Sequence, residues 1–97
     1  MKMILIDGKM YSNIEEIHNL LAREFNWRRY GKNLDALWDF LTTDVERPFE
    51  IKWTNVEESK KKIGHDCSSM INLLREVEEW DKLHFAETER FTFIVEY

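Results

Sequence analysis

Asp35 and Asp39 stand one helical turn apart in the run Asn33-Leu34-Asp35-Ala36-Leu37-Trp38-Asp39-Phe40-Leu41-Thr42. Paired carboxylates can exchange protons with a substrate during hydrolysis, or they can present fixed negative charge to a cationic partner. Acid and base work would need a carboxyl held protonated by burial, and no Ser, Cys or His nucleophile stands at suggestive spacing around this pair. At about 100° per residue, Trp38, Asp39 and Thr42 fall within about 60° of Asp35, whereas Leu34, Leu37 and Leu41 gather on another side. One stripe is therefore buried and the other displayed. Asn33 is a good N-cap, which puts Asp35 in the first turn, where the helix dipole favours negative charge. Asp39 lies beyond that turn, and its repulsion of Asp35 costs roughly 0.2 to 0.5 kcal/mol. Between Asn33 and Glu46 the acids are Asp35, Asp39, Asp44 and Glu46, with no Lys or Arg among them. Such a face ordinarily just meets water; its alternative use is to meet a basic partner.

The elements that position this face can be read from periodicity. Met3 to Ile6 is a short apolar run closed by Asp7-Gly8, a strand and a turn. Ser12-Asn13-Ile14-Glu15 reads as a capping box, and Ile14, Ile17, Leu20, Leu21 and Phe25 follow at helical spacing, with His18 on the polar side. Asn26 to Lys32 is a connecting loop that brings Tyr30 and Gly31 against the acidic helix, and Gly31 permits close approach of another backbone. Phe49, Ile51 and Trp53 alternate with Glu50 and Lys52 after Pro48, the pattern of a strand with one buried face. Asn55 to Lys62 forms a short polar helix. Asp66 is placed to cap a further helix whose apolar stripe is Met70, Leu73, Leu74 and Val77, leaving Glu76 to face outward. Phe91 to Glu96 is the last strand, and Asp81 to Arg90 is the least patterned segment, a candidate mobile loop. Strands separated by helices pair in parallel through crossovers.

Ninety-seven residues with 43% hydrophobic content suit one domain over residues 1–97. The 4 Trp, 3 Tyr and 6 Phe supply much buriable area. Cys67 is the only cysteine, so no intrachain disulfide forms and a reducing, cytoplasmic setting is expected. Met3 to Ile6 is too short for a signal or membrane segment. A net charge of −5 opposes nucleic acid and anionic membranes and favours a basic protein. Lys60-Lys61-Lys62 is a solvated basic run without assigned function. His18, His65 and His84 are widely separated, and His65 with Cys67 gives only two ligands, so no metal site is expected. Gly8, Gly31 and Gly64 are isolated, so no phosphate loop or nucleotide cofactor is expected either. Trp38 borders both stripes, as a core aromatic or an interface anchor. Trp27 and Trp53 read as packing residues.

Tyr30-Gly31, then Asn33 through Asp39, then Leu41-Thr42, resembles the signature of the barstar family, intracellular protein inhibitors of barnase-type secreted ribonucleases. A weaker likeness covers nearly the whole chain, through Val45-Glu46 and Pro48 to Arg75-Glu76, with no gap between Tyr30 and Glu76. It implies an α/β fold in which a small three-stranded parallel sheet packs with about four helices. In that family the acidic helix plugs the positively charged active site, its carboxylates standing in for substrate phosphates. Carried over, Asp39 is the phosphate mimic, Asp35 and Glu76 are supporting charges, and Asn33, Gly31, Trp38 and Thr42 shape the contact. Four positions depart from the family pattern where it contacts its partner. Arg29 replaces a tyrosine, Thr43 and Asp44 replace a Gly-Trp pair, and Trp80 replaces a glutamate. Arg29 and Asp44 are accordingly expected to help set which partner is bound. The resemblance implies a non-enzymatic inhibitor of a basic ribonuclease, monomeric when free. The alternatives are a barstar-like module for another basic protein or toxin and a carboxylate hydrolase.

Overall fold

Alternation along three strands decides which way the molecule faces. The computed structural model describes residues 1–97, and β1 (Lys2–Asp7), β2 (Phe49–Thr54) and β3 (Thr92–Val95) form one sheet in the order β1-β2-β3. Both pairings are parallel, with Ile4 beside Ile51 beside Phe93 and Ile6 beside Trp53 beside Val95. These rows lie on the face the helices cover, while Met3, Leu5 and Ile94 point to the open face and are exposed. A one-residue slip of β2 would reverse Phe49, Ile51 and Trp53, all fully buried, so burial fixes the register.

Each crossover carries two helices: α1 (Ile14–Phe25) and α2 (Leu34–Thr43) after β1, then α3 (Val56–Ile63) and α4 (His65–His84) after β2. The α/β expectation of a three-stranded parallel sheet with four helices is met, with one added 3-10 turn at Glu87–Glu89. A cluster of 20 buried residues fills the space between helices and sheet. No helix is long and apolar enough to cross a membrane.

Four local expectations are corrected. The box before α1 is displaced by one residue: Asn13 is the N-cap, its side chain accepting from Glu16 N at 3.0 Å, and Glu16 accepts from Ser12 N at 2.7 Å. Asp66 makes no cap to α4; Gly64 precedes that helix and Asp66 sits in its first turn, favoured by the dipole alone. His18 is buried on the inner side of α1, where Tyr30 satisfies it. Asp81 through His84 are helical, because α4 runs that far before the chain leaves it. The physical cause is Asp81, fully buried against Arg47 at 2.8 Å.

Carboxylates on α4 also close the edge of the sheet. Phe91 N donates to Asp81 Oδ2 at 2.8 Å and Phe93 N to Glu78 Oε2 at 2.9 Å, so alternate edge amides of the β3 segment are satisfied by one helix.

Candidate functional site

The loop before α2 is held from below. α1 ends on Asn26 in the left-handed region (φ 59°), with Trp27 N donating to Ala22 O at 2.8 Å, and the chain turns away at once. Trp27 lies against Phe25 and Phe40, with ring centroids 4.9 and 5.0 Å apart. Tyr30 meets Phe40 edge-on at 5.4 Å and shares a 2.6 Å hydrogen bond with His18 Nδ1. Tyr30 is therefore the anchor under the loop, and burial pushes its phenol pKa up. Arg29 and Lys32 take positive φ (58° and 53°), and Arg29, Gly31, Lys32 and Asn33 are exposed above the aromatic bed.

Asn33 caps α2, its side-chain oxygen accepting from Ala36 N at 2.8 Å. That cap fixes the rotation of the helix: Leu37 and Leu41 are fully buried, and Asp35 and Asp39 are exposed on the other side. At the far end, the Thr42 hydroxyl donates to Trp38 O at 2.7 Å and the Thr43 hydroxyl to Asp39 O. Both hydroxyls bond back onto carbonyls three or four residues earlier, the usual way a threonine inside a helix satisfies its hydroxyl. Thr42 is half-buried as a result, so less of it is displayed than the stripe expectation implied. Asp44, exposed, forms the C-cap, and α2 has no basic residue in its last turn.

α4 runs beside α2. Trp38, half-buried, meets Trp80 edge-on with centroids 6.2 Å apart. Glu76 is one turn before Trp80 on α4, exposed, and so on the side of α4 that adjoins the acidic stripe. The fold thus brings together Arg29, Gly31, Asn33, Asp35, Trp38, Asp39, Thr42, Asp44 and Glu76 along one loop, one helix and the adjoining helix. The Trp38–Trp80 contact was not readable from spacing, because it depends on how two helices rotate against each other. The burial of His18 was not read from spacing either: it shares a helical stripe with Ile14, Leu21 and Phe25, but the partner that makes its burial tolerable, Tyr30, lies 12 residues away.

The electrostatics of this face are simple. The chain's four ion pairs are Lys2–Glu24, Arg47–Asp81, Lys52–Glu96 and Lys82–Glu79. None uses Asp35, Asp39, Asp44 or Glu76. Two surface cavities are present: one of about 400 Å³ between the start of α1 and the end of α3, and one of about 210 Å³ beside the start of α2, lined by His18, Asn33 and Ser69. Neither includes Asp35 or Asp39. Cys67 is buried and its thiol pKa is pushed up by that burial, which makes it a packing residue.

The sequence pattern of the family described as Barstar (barnase inhibitor) matches residues 1–97. The chain is also similar to a Bacillus subtilis (strain 168) protein named "Putative ribonuclease inhibitor YrdF", with 36% identity over 80 residues, 81% of this chain and 88% of that relative.

Proposed function

The chain belongs to the barstar family, and on that premise we propose that it is a stoichiometric inhibitor that covers the active site of a basic, barnase-type ribonuclease with the acidic face of α2. One observation carries the reading: Asp35 and Asp39 are exposed a turn apart on a capped helix, and no cation of the chain pairs with them. Their mutual repulsion is tolerated although the fold gains nothing from Asp39. In the complex, Asp39 takes the place of a substrate phosphate and accepts charge-assisted hydrogen bonds from Arg, Lys or His side chains of the enzyme. Asp35 and Glu76 supply supporting charge. Gly31, Asn33, Trp38 and Thr42 form the contact around them. Inhibition is occlusion; no bond in the inhibitor is made or broken. The single buried thiol and the net charge of −5 suit a monomeric cytoplasmic protein that binds a basic protein and neither nucleic acid nor membrane.

The test is residual barnase activity titrated with the chain at low salt, with Asp39→Ala alongside. A sharp one-to-one endpoint in the wild type, lost in the variant, is the expected result. Loss of a buried charge partner at a protein interface generally costs about 2 kcal/mol or more, which rounds the titration curve where the enzyme concentration is near the weakened dissociation constant. Absence of inhibition at micromolar excess would overturn the barnase-type reading. The second reading, a module for a different basic protein or toxin, is favoured by exposed Arg29 at φ 58°, a cation placed at the rim of an anionic surface. Affinity capture that recovers only a barnase-type ribonuclease would exclude it.

A further inference from the structure

His18 makes one hydrogen bond, between Nδ1 and the Tyr30 hydroxyl at 2.6 Å, and its other ring nitrogen finds no partner in the chain. The side chain is only 3% exposed, yet Nε2 is not sealed in. The one fully buried side-chain nitrogen or oxygen without a partner is Trp27 Nε1, and His18 lines the cavity of about 210 Å³ beside the start of α2. The imidazole therefore turns its free nitrogen into that cavity. The Tyr30 hydroxyl has no other acceptor, so it donates to Nδ1, and Nε2 carries a hydrogen. A donor placed in this way is costly to leave without an acceptor.

We propose that this cavity binds a phosphate group, either free phosphate or the end of a phosphomonoester. The Leu34 and Asp35 amides at the start of α2 take no acceptor, because the Asn33 side chain accepts from Ala36 N alone, and a helix N-terminus with free amides favours an anion. Lys32, at φ 53°, brings a cation to the wall, and Ser69 on α4 adds a hydroxyl. His65 Nε2 lies 3.3 Å from Ser69 Oγ and can donate to it, which leaves the hydroxyl hydrogen for a ligand. Asp66 is the one acid in the wall and selects among anions. It repels sulfate, which has no proton to offer near neutral pH. A phosphate whose second pKa is about 6 keeps a proton that Asp66 accepts. The volume is several times the roughly 30 Å³ share of one water in the liquid, enough for a phosphate with part of its hydration. The carboxylates of Asp35 and Asp39 do not line the cavity, so the site is distinct from the acidic face and its test needs no ribonuclease.

Titration of the isotope-labelled chain with inorganic phosphate, followed by NMR at about pH 6, where a phosphomonoester holds about half of its second proton, reads the site directly. The His18 ring nitrogens and the Leu34 and Asp35 amides should shift together and saturate. The expected dissociation constant is on the order of 1 mM, the strength of a few hydrogen bonds to a charged group. Lys32→Gln and Ser69→Ala, neither of them in the buried core, should each weaken binding about tenfold. A ribonucleoside monophosphate that binds more tightly than phosphate identifies the ester as the ligand, and equal or weaker binding identifies free phosphate. Absence of a saturable shift at these atoms, equal shifts with sulfate at matched ionic strength, or wild-type affinity in both variants would overturn the site.

Discussion

Arg47 and Asp81 meet as a buried two-armed ion pair, Nε to Oδ2 at 2.9 Å and Nη2 to Oδ1 at 2.8 Å, with side chains 4% and 0% exposed. The remaining arms of both groups are used: Arg47 Nη1 donates to Val45 O at 2.8 Å, and Phe91 N donates to Asp81 Oδ2 at 2.8 Å. The rings of Phe49 and Phe85 lie 4.8 and 4.9 Å from the guanidinium. One pair therefore ties the segment leaving α2 to α4 and to the entry of β3, and holds the acidic helix against α4.

Removing the carboxylate should be severe. Asp81→Ala leaves a buried guanidinium uncompensated and frees the Phe91 amide, at a cost of about 3 to 5 kcal/mol, a large share of the stability of so small a protein. Urea denaturation of the variant would show it. The double replacement Arg47→Met with Asp81→Leu should be less destabilised than Asp81→Ala, since apolar groups leave no orphan charge. A single variant within about 1 kcal/mol of wild type, the size of one ordinary hydrogen bond, would mean the pair does not hold these elements.

His18 and Asp81 also mark where the sequence stopped being legible. The strands were readable because Phe49, Ile51 and Trp53 alternate with polar residues, and α1 and α2 because their leucines and isoleucines recur on one side. Asp35 and Asp39 were placed on the displayed stripe of α2 by the same geometry. His18 and Asp81 occupy apolar stripes as polar residues, and what reconciles them to burial lies far along the chain: Tyr30 and Arg47, at separations of 12 and 34 residues. Local periodicity carries no signal for such pairs. Trp80 was noticed only as a departure from the family pattern; its contact with Trp38 depends on the docking of α2 against α4.

Gly8 and Gly31 should separate folding from binding. A Cβ at Gly8 would overlap the backbone carbonyl of Asn55 and crowd Ser59 Oγ, so the turn after β1 would have to shift. Gly8→Ala is expected to destabilise by about 1 to 3 kcal/mol. At Gly31 the nearest atoms to such a Cβ are Asn33 Nδ2 at 3.4 Å and Ala36 Cβ at 3.5 Å, ordinary contacts, and the residue is not in the left-handed region. Gly31→Ala should keep or slightly raise stability while weakening ribonuclease binding. Thermal melts and binding constants for both variants decide the matter; a Gly31→Ala protein that binds like wild type would take Gly31 out of the interface.

Acid should destabilise the protein through His18. Burial lowers its pKa below 6.5, outweighing the attraction of Asp66 and Glu15, and Lys32 lowers it further. The unfolded chain then takes up the proton at a higher pH than the folded one does. Stability from this group is intact above about pH 6.5 and falls as pH drops toward the folded pKa, by at most about 1.4 kcal/mol per pH unit. Urea midpoints at pH 7.5, 6.5 and 5.5, chosen to span that range, should fall in the wild type and fall less in His18→Gln. Equal slopes in the two proteins would assign the acid sensitivity to other groups.

Asp44 places a carboxylate at the negative end of the α2 dipole, with no basic residue in the last turn to offset it. For the isolated fold this is an unfavourable position, worth from a few tenths to about 1 kcal/mol at an exposed site. Asp44→Asn should therefore stabilise the free protein. If the charge is there for a basic partner, the same change should slow association at low ionic strength, because complementary fields raise encounter rates. The difference between the two proteins should shrink as salt approaches about 1 M, where screening acts within about 3 Å. Stopped-flow association with barnase across a salt series, beside thermal melts, gives both readouts. A stabilised variant that associates at the wild-type rate at every salt concentration would show that Asp44 lies outside the field the partner meets, and that the displayed charge of α2 ends at Asp39.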